Sequence, residues 1–209
     1  MALDTYANLK VAIRDWSHRN DMGDGRIDDF IDMAEAEMYG NLDQPIRLRS
    51  MEARATATVS TSSRFLALPD LFLQMRRLKL NLAQEDTDVK YMAPEQMPLR
   101  GTSGIPRFFS VTTQLEFDRT PDSTYTIEMQ YIKKLTPLSD SNTTNAILTD
   151  SPTVYLFGAL WALHKFTSQP EVSADYYIQF INSIGGANIQ DKKGKYGPAP
   201  RIRLEGSTP

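Results

Sequence analysis

From Ser141 to Phe166 the chain reads SNTTNAILTDSPTVYLFGALWALHKF, a polar, turn-rich lead-in that runs straight into its most apolar segment. No charge interrupts Val154 to Leu163, and His164 and Lys165 close the run. It spans about half of the roughly 20 residues a helix needs to cross a bilayer, which argues against a membrane anchor. A helix apolar on nearly every side must instead be surrounded by protein. The expectation is a central core helix over 152–167, with Leu156, Leu160 and Leu163 on its buried side and an inter-subunit interface for the remainder. Asp150 or Ser151 can cap it, and Pro152 fits the first turn, where its missing N–H costs nothing.

The rest of the chain must supply the surroundings. Its 209 residues, 41% hydrophobic and 23% charged, suffice for one sizeable core or a core with a satellite sheet. Tyr6, Leu9, Ala12, Ile13 and Trp16 fall at helical spacing behind Asp4 or Thr5 as cap. After the break NDMGDG, Ile27, Phe30, Ile31, Ala34, Met38 and Leu42 form a second stripe, with Asp28, Asp32 and Glu35 on the opposite face. Two such helices on a short loop read as an antiparallel hairpin.

Beyond Pro45 the period changes to two. Met51, Ala53, Ala55, Ala57 and Val59 alternate with Glu52, Arg54, Thr56 and Thr58, a strand with one covered face. RFLALP reads as its return partner across the turn TSSR. RRLKLNL, PRFFSVTTQLEF and TYTIEMQYIKK follow as further strands, with QEDTD and RTPDS as turns. A last helix is predicted from about Pro170 to Ile184, ended by Gly185 and Gly186. The fold class expected is α+β and mainly α. A helical bundle from both chain ends (1–48 and 135–186) carries an inserted small antiparallel sheet (49–134) and an extended C-terminal arm (187–209).

Composition removes several chemistries. Lys and Arg total 23 against 26 Asp and Glu, a net charge of −3, so no global positive field attracts nucleic acid. There is no cysteine, hence no disulfide and no thiolate ligand or nucleophile. The opening MALDTYANLK has no secretory pattern, and the expectation is a protein that stays in the cytosol where it is made. His18 and His164 lie on different helices without zinc-site spacing. NDMGDGRIDDFI matches a calcium loop at Asp24 and Gly25 but places Met22 and Ile31 where oxygen ligands are required. No Walker, Rossmann or nucleophile-elbow motif occurs. Asp28, Asp29, Asp32, Glu35 and Glu37 read as a solvated helix face rather than an acid/base pair or magnesium site. The expectation is therefore a non-enzyme with no cofactor and no metal.

The remaining candidates lie at the C terminus, in DKKGKYGPAPRIRL. Lys192, Lys193, Lys195, Tyr196, Arg201 and Arg203 interleave base and aromatic, a pattern suited to phosphates or to an acidic groove on a protein. Ile202 and Leu204 alternate with the arginines as a docking strand would, and Pro198 and Pro200 lower the entropy cost of extended docking.

Several segments together resemble one known family: YANLKVAIRDWSHRND, IDDFIDMAEAEMYGNLDQPIRLRSMEA, ALPDLFLQMRRLKL, GIPRFFSV and the long run from LEFDRTPDS to YLFGALWAL. They look like the head-to-tail adaptor, or connector, proteins of tailed bacteriophages, especially short-tailed ones. The similarity runs from about Tyr6 to Phe180 and is most specific over LSDSNTTNAILTDSPTVYLFGALWAL. It implies a structural virion protein without catalysis, resident at the neck or head–tail interface and made in the host cytoplasm. Such adaptors assemble as a ring, usually dodecameric, beneath the portal protein, extend the DNA channel and support tail nozzle or fibre proteins. The genome would pass through without sequence-specific binding, and no membrane is involved. Lys192, Lys193, Lys195, Tyr196, Arg201, Ile202, Arg203 and Leu204 are then candidate contacts to the portal or a neighbouring subunit. The alternative is a nucleic-acid-binding module that uses the same basic arm.

Overall fold

The computed structural model describes residues 3–82, 86–98 and 102–195, and at Lys195 the backbone alone. The described residues up to 49 and from 136 onward form one compact unit, and those between 50 and 135 form another.

In the first unit α1 spans Tyr6–Ser17, α2 Asp24–Gly40, α3 Ala146–Asp150, α4 Pro152–Phe166 and α5 Pro170–Lys195. Thr5 caps α1 by accepting the Asn8 N–H, and His18 stops it in the left-handed conformation at φ 53°. Asn145 caps the short α3 by accepting the Leu148 N–H at 3.0 Å, whereas Ser151 makes no side-chain cap to α4. Helix α4 packs against α1, α2 and α5, and Leu156, Leu160 and Leu163 are buried along with Val154, Tyr155, Ala159 and Ala162. Gly158 marks the closest approach: a Cβ there would lie 2.7 Å from Ala34 Cβ and 2.8 Å from Phe180 Cε2. Only glycine lets α4 settle this deeply between α2 and α5.

The second unit is a seven-stranded mixed sheet, nearly closed into a barrel. Its strands are β1 Glu52–Val59, β2 Phe65–Leu66, β3 Phe72–Asn81, β4 Thr87–Tyr91, β5 Phe108–Val111, β6 Leu115–Phe117 and β7 Tyr125–Lys133. They lie in the order β1-β7-β3-β4-β5-β6-β2. All neighbours are antiparallel except β4 and β5, which run parallel through Lys90↔Phe108 and Tyr91↔Phe109. Val59, Leu78, Leu80, Phe109, Phe117, Ile127 and Met129 fill its core, with Ala53, Ala55 and Ala57 packed against them, the face their alternation assigns. Asp118, fully buried, accepts the N–H groups of Arg107 at 2.9 Å and Phe108 at 3.3 Å and pairs with Arg119 at 3.0 Å. That carboxylate fixes the start of β5 against the end of β6.

These observations correct the expected fold class. The sheet is neither small nor purely antiparallel, and the chain is not a mainly helical bundle with a minor insertion. Three local reasons account for the difference. β1 pairs over its whole length with β7, not with RFLALP, whose strand β2 joins β6 instead. β4 falls in TDVKY, where Val89 is the one buried residue and the binary signal is correspondingly weak. PRFFSVTTQLEF holds two strands rather than one. Nor is 187–209 an extended arm throughout. Helix α5 passes through Gly185 and Gly186 to Lys195 because Phe180, Ile184 and Ala187 keep one buried stripe across the glycine pair.

Candidate functional site

The C-terminal end of α5 is the first candidate. Lys192 and Lys193 are exposed on its last turns and Lys195 closes the helix, while Tyr196, Arg201, Ile202, Arg203 and Leu204 lie outside the described residues. Two side chains that the sequence reading passed over hold this end. Asn188 accepts the Arg47 N–H at 2.8 Å and donates to Pro45 O at 3.1 Å. Asp191 accepts both the backbone N–H and Nε of Arg49 at 3.1 Å, and Arg49 also donates to Gly194 O at 3.3 Å. The two lysines are thus presented by a clamped helix rather than by a free tail. Asp191→Ala is expected to speed amide exchange over 187–195 while costing about 0.2–1 kcal/mol in a global melt, since Arg49 is largely exposed. Unchanged exchange there would contradict the clamp.

The acidic stretch of α2 is a solvated face only in part: Asp29 and Asp32 are exposed, but Asp28, Glu35 and Glu37 are engaged. Asp28 accepts the Tyr6 hydroxyl at 2.7 Å and pairs with the buried Lys10 at 2.7 Å, which also reaches Asp140 at 3.3 Å. Burial pulls the Lys10 ammonium down, and Asp28 and Asp140 outweigh it, so its pKa stands above the ordinary value. Glu37 accepts the Tyr177 hydroxyl at 3.0 Å. Glu35 is 8% exposed, and its Oε1 accepts the Leu138 N–H at 3.0 Å and the Tyr155 hydroxyl at 2.8 Å. Asn145 donates in turn to Tyr155 at 2.6 Å. The network ties α2 and α4 to the connector between them.

Burial raises the Glu35 pKa, the two donors pull it partly back, and Asp32 adds to the rise. A raised folded-state value makes the sign clear. Stability from this group is complete below the ordinary glutamate pKa of about 4.3 and is lost as pH climbs through the raised value. Glu35→Gln should therefore gain on the natural protein as pH rises from 4 to 8 in thermal melts. A constant difference across that range would contradict the assignment.

Exposed apolar groups supply the other candidates. On the helical unit Trp16 is 52% exposed, Phe166 54%, Ile178 59% and Ile189 56%. Trp16 meets Phe157 edge-on at 6.0 Å, and both line a hollow of about 320 Å³ with Leu3 and Ala12. In the sheet unit a cavity of about 570 Å³ lies beside β3, lined by Phe72, Met75, Leu78, Val89, Phe109 and Val111 among others. Among the described residues no group of three or more His, Cys, Asp and Glu side chains could hold a metal ion, and no helix is long and apolar enough to cross a membrane. His164 is buried at the end of α4, bonded to Gln169 at 2.7 Å and stacked on Tyr176.

No curated protein matches the chain. A family model described as SU10 adaptor protein matches residues 4–203.

Proposed function

Because the chain belongs to the SU10 adaptor protein family, the head-to-tail adaptors of bacteriophages, we propose that it forms a ring that docks on the portal, extends the DNA channel and supports attachment of a short tail. A structural role as a phage adaptor and virion component follows from the family. Ring, portal, neck position and channel are the proposal. The observation that carries it is the family match across nearly the whole chain.

Two features of the molecule support the finer reading. A closed ring uses a different patch on each side of every subunit, because cyclic interfaces are heterologous. The helical unit offers separate apolar groups for that purpose, Trp16 on α1 and Ile178 and Ile189 on α5. In addition, a net charge of −3 suits a channel wall that must not hold the moving duplex. The ring is dodecameric in this proposal, with tail nozzle or fibre proteins as further partners and Lys192 and Lys193 at the portal or the neighbouring subunit. Particles assembled without this protein should package DNA yet carry no tails, as seen by negative-stain microscopy of an amber mutant. Tailed particles from that mutant would contradict the proposal.

A further inference from the structure

Strand β3 is paired unequally on its two flanks. Along one it pairs with β7 from Phe72 to Asn81, but along the other it meets β4 only at Leu78, Lys79 and Leu80. The sheet then splits, because β4 turns away to run parallel to β5. Among the described residues nothing pairs with the β4-side edge of 72–77, which at about 3.3 Å per residue amounts to roughly 20 Å of open backbone. The cavity of about 570 Å³ lies in this split, with Phe72, Met75 and Leu78 on one wall and Tyr91, Phe109 and Val111 on the other. β5 is already paired on both flanks, by β4 and β6, so between β3 and β5 the free edge among the described residues is that of β3.

Two register shifts fall in the same stretch, between Phe72 and Gln74 and between Met75 and Arg77. The residues left over, Leu73 and Arg76, both line the cavity. Bulges re-aim side chains in this way. Arg77 is held by Asp88 at 2.8 Å, whereas Arg76 is exposed and forms no ion pair among the described residues. The cleft therefore combines an open strand edge, an apolar floor and a cation at its rim.

We propose that this cleft accepts an extended strand from another protein of the particle, one with apolar side chains at alternate positions and a carboxylate between them to face Arg76. The strand would complete the split sheet through backbone hydrogen bonds, while the alternating side chains and the arginine select it. The identity of the donor as a virion component rests on the adaptor reading. The chemistry of the cleft does not. A positive rim disfavours a basic segment, which argues against residues 201–204 of a second copy as the occupant.

The free chain suffices for the test, so a negative result leaves the adaptor assignment untouched. Amide resonances of the full-length protein are followed by NMR during titration with the peptide Ac-Ser-Val-Glu-Val-Glu-Val-Ser-NH2 and with its lysine analogue in place of glutamate. The expected result is displacement of amides over 72–77 by the glutamate peptide and about fivefold weaker binding of the lysine peptide, the scale of an exposed charge pair. Arg76→Glu, an exposed change that leaves the sheet core intact, should reverse that order. No displaced edge amides at millimolar peptide, displacement elsewhere, or affinity independent of peptide charge would overturn the proposal and leave the bulges as a device that blunts an edge.

Discussion

Replacing Leu160 with Ala is expected to lower the unfolding free energy by about 2–5 kcal/mol, the range for truncating a core leucine. Leu160 is fully buried on a helix that touches α1, α2 and α5, so the cavity left behind has helix walls on several sides. Such walls close in only partly, and the cost should sit in the upper half of the range. Denaturant unfolding measures it directly. A midpoint unchanged by the substitution would contradict the central placement of α4, on which the whole helical unit depends.

The second large effect should come from adding atoms rather than removing them. At Gly158 a methyl group would arrive 2.7 Å from Ala34 Cβ and 2.8 Å from the Phe180 ring, closer than real carbon contacts allow. Helix propensity favours Ala over Gly by about 1 kcal/mol, while overpacking costs about 1–3 kcal/mol, so Gly158→Ala should destabilise and Gly158→Val should do so more strongly. Both obstructing groups are anchored, one on α2 and the other on α5. Ala34→Gly would remove one of them. The double variant Gly158→Ala with Ala34→Gly should therefore lose less stability than the two single changes summed. Strict additivity would mean that the helices separate freely and that the close approach carries no strain.

How much of this was readable before the structure differs from element to element. α4 was legible because a ten-residue apolar run without a charge has few physical solutions, and α1 and α2 because their stripes keep helical spacing, although Leu42, read as the end of the second stripe, lies beyond α2 and is almost fully exposed. The face of β1 was equally clear from Ala53, Ala55 and Ala57. Its partner was not, since alternation states which side is covered but not which distant strand lies alongside, and β7 follows more than sixty residues later. The parallel β4–β5 pair leaves no hairpin signature at all. At α5 the pair Gly185 and Gly186 reads as a stop, yet two glycines cost only about 1 kcal/mol each in a helix. Burial of Phe180, Ile184 and Ala187 and the bonds of Asn188 and Asp191 override them.

The candidate contacts divide in the same way. Lys192 and Lys193 were named from charge, and the structure places them on the surface of a helix. Glu35 was misplaced on the polar face because its neighbours at helical spacing are acids. Its actual partners, Leu138 and Tyr155, come from a hundred residues further along. The bulged edge of β3 was invisible, because the alternation is clean only from Arg77 to Leu82, while the shifts fall at Leu73 and at Arg76, the first residue of RRLKLNL.

The central claim, that this chain joins head to tail as a ring on the portal, is tested most directly by electron cryomicroscopy of the purified protein mixed with its cognate portal. The account predicts a closed ring of this chain seated on one end of the portal and coaxial with its channel. Portal particles that remain bare at saturating protein, or single copies bound without contact to one another, would contradict it.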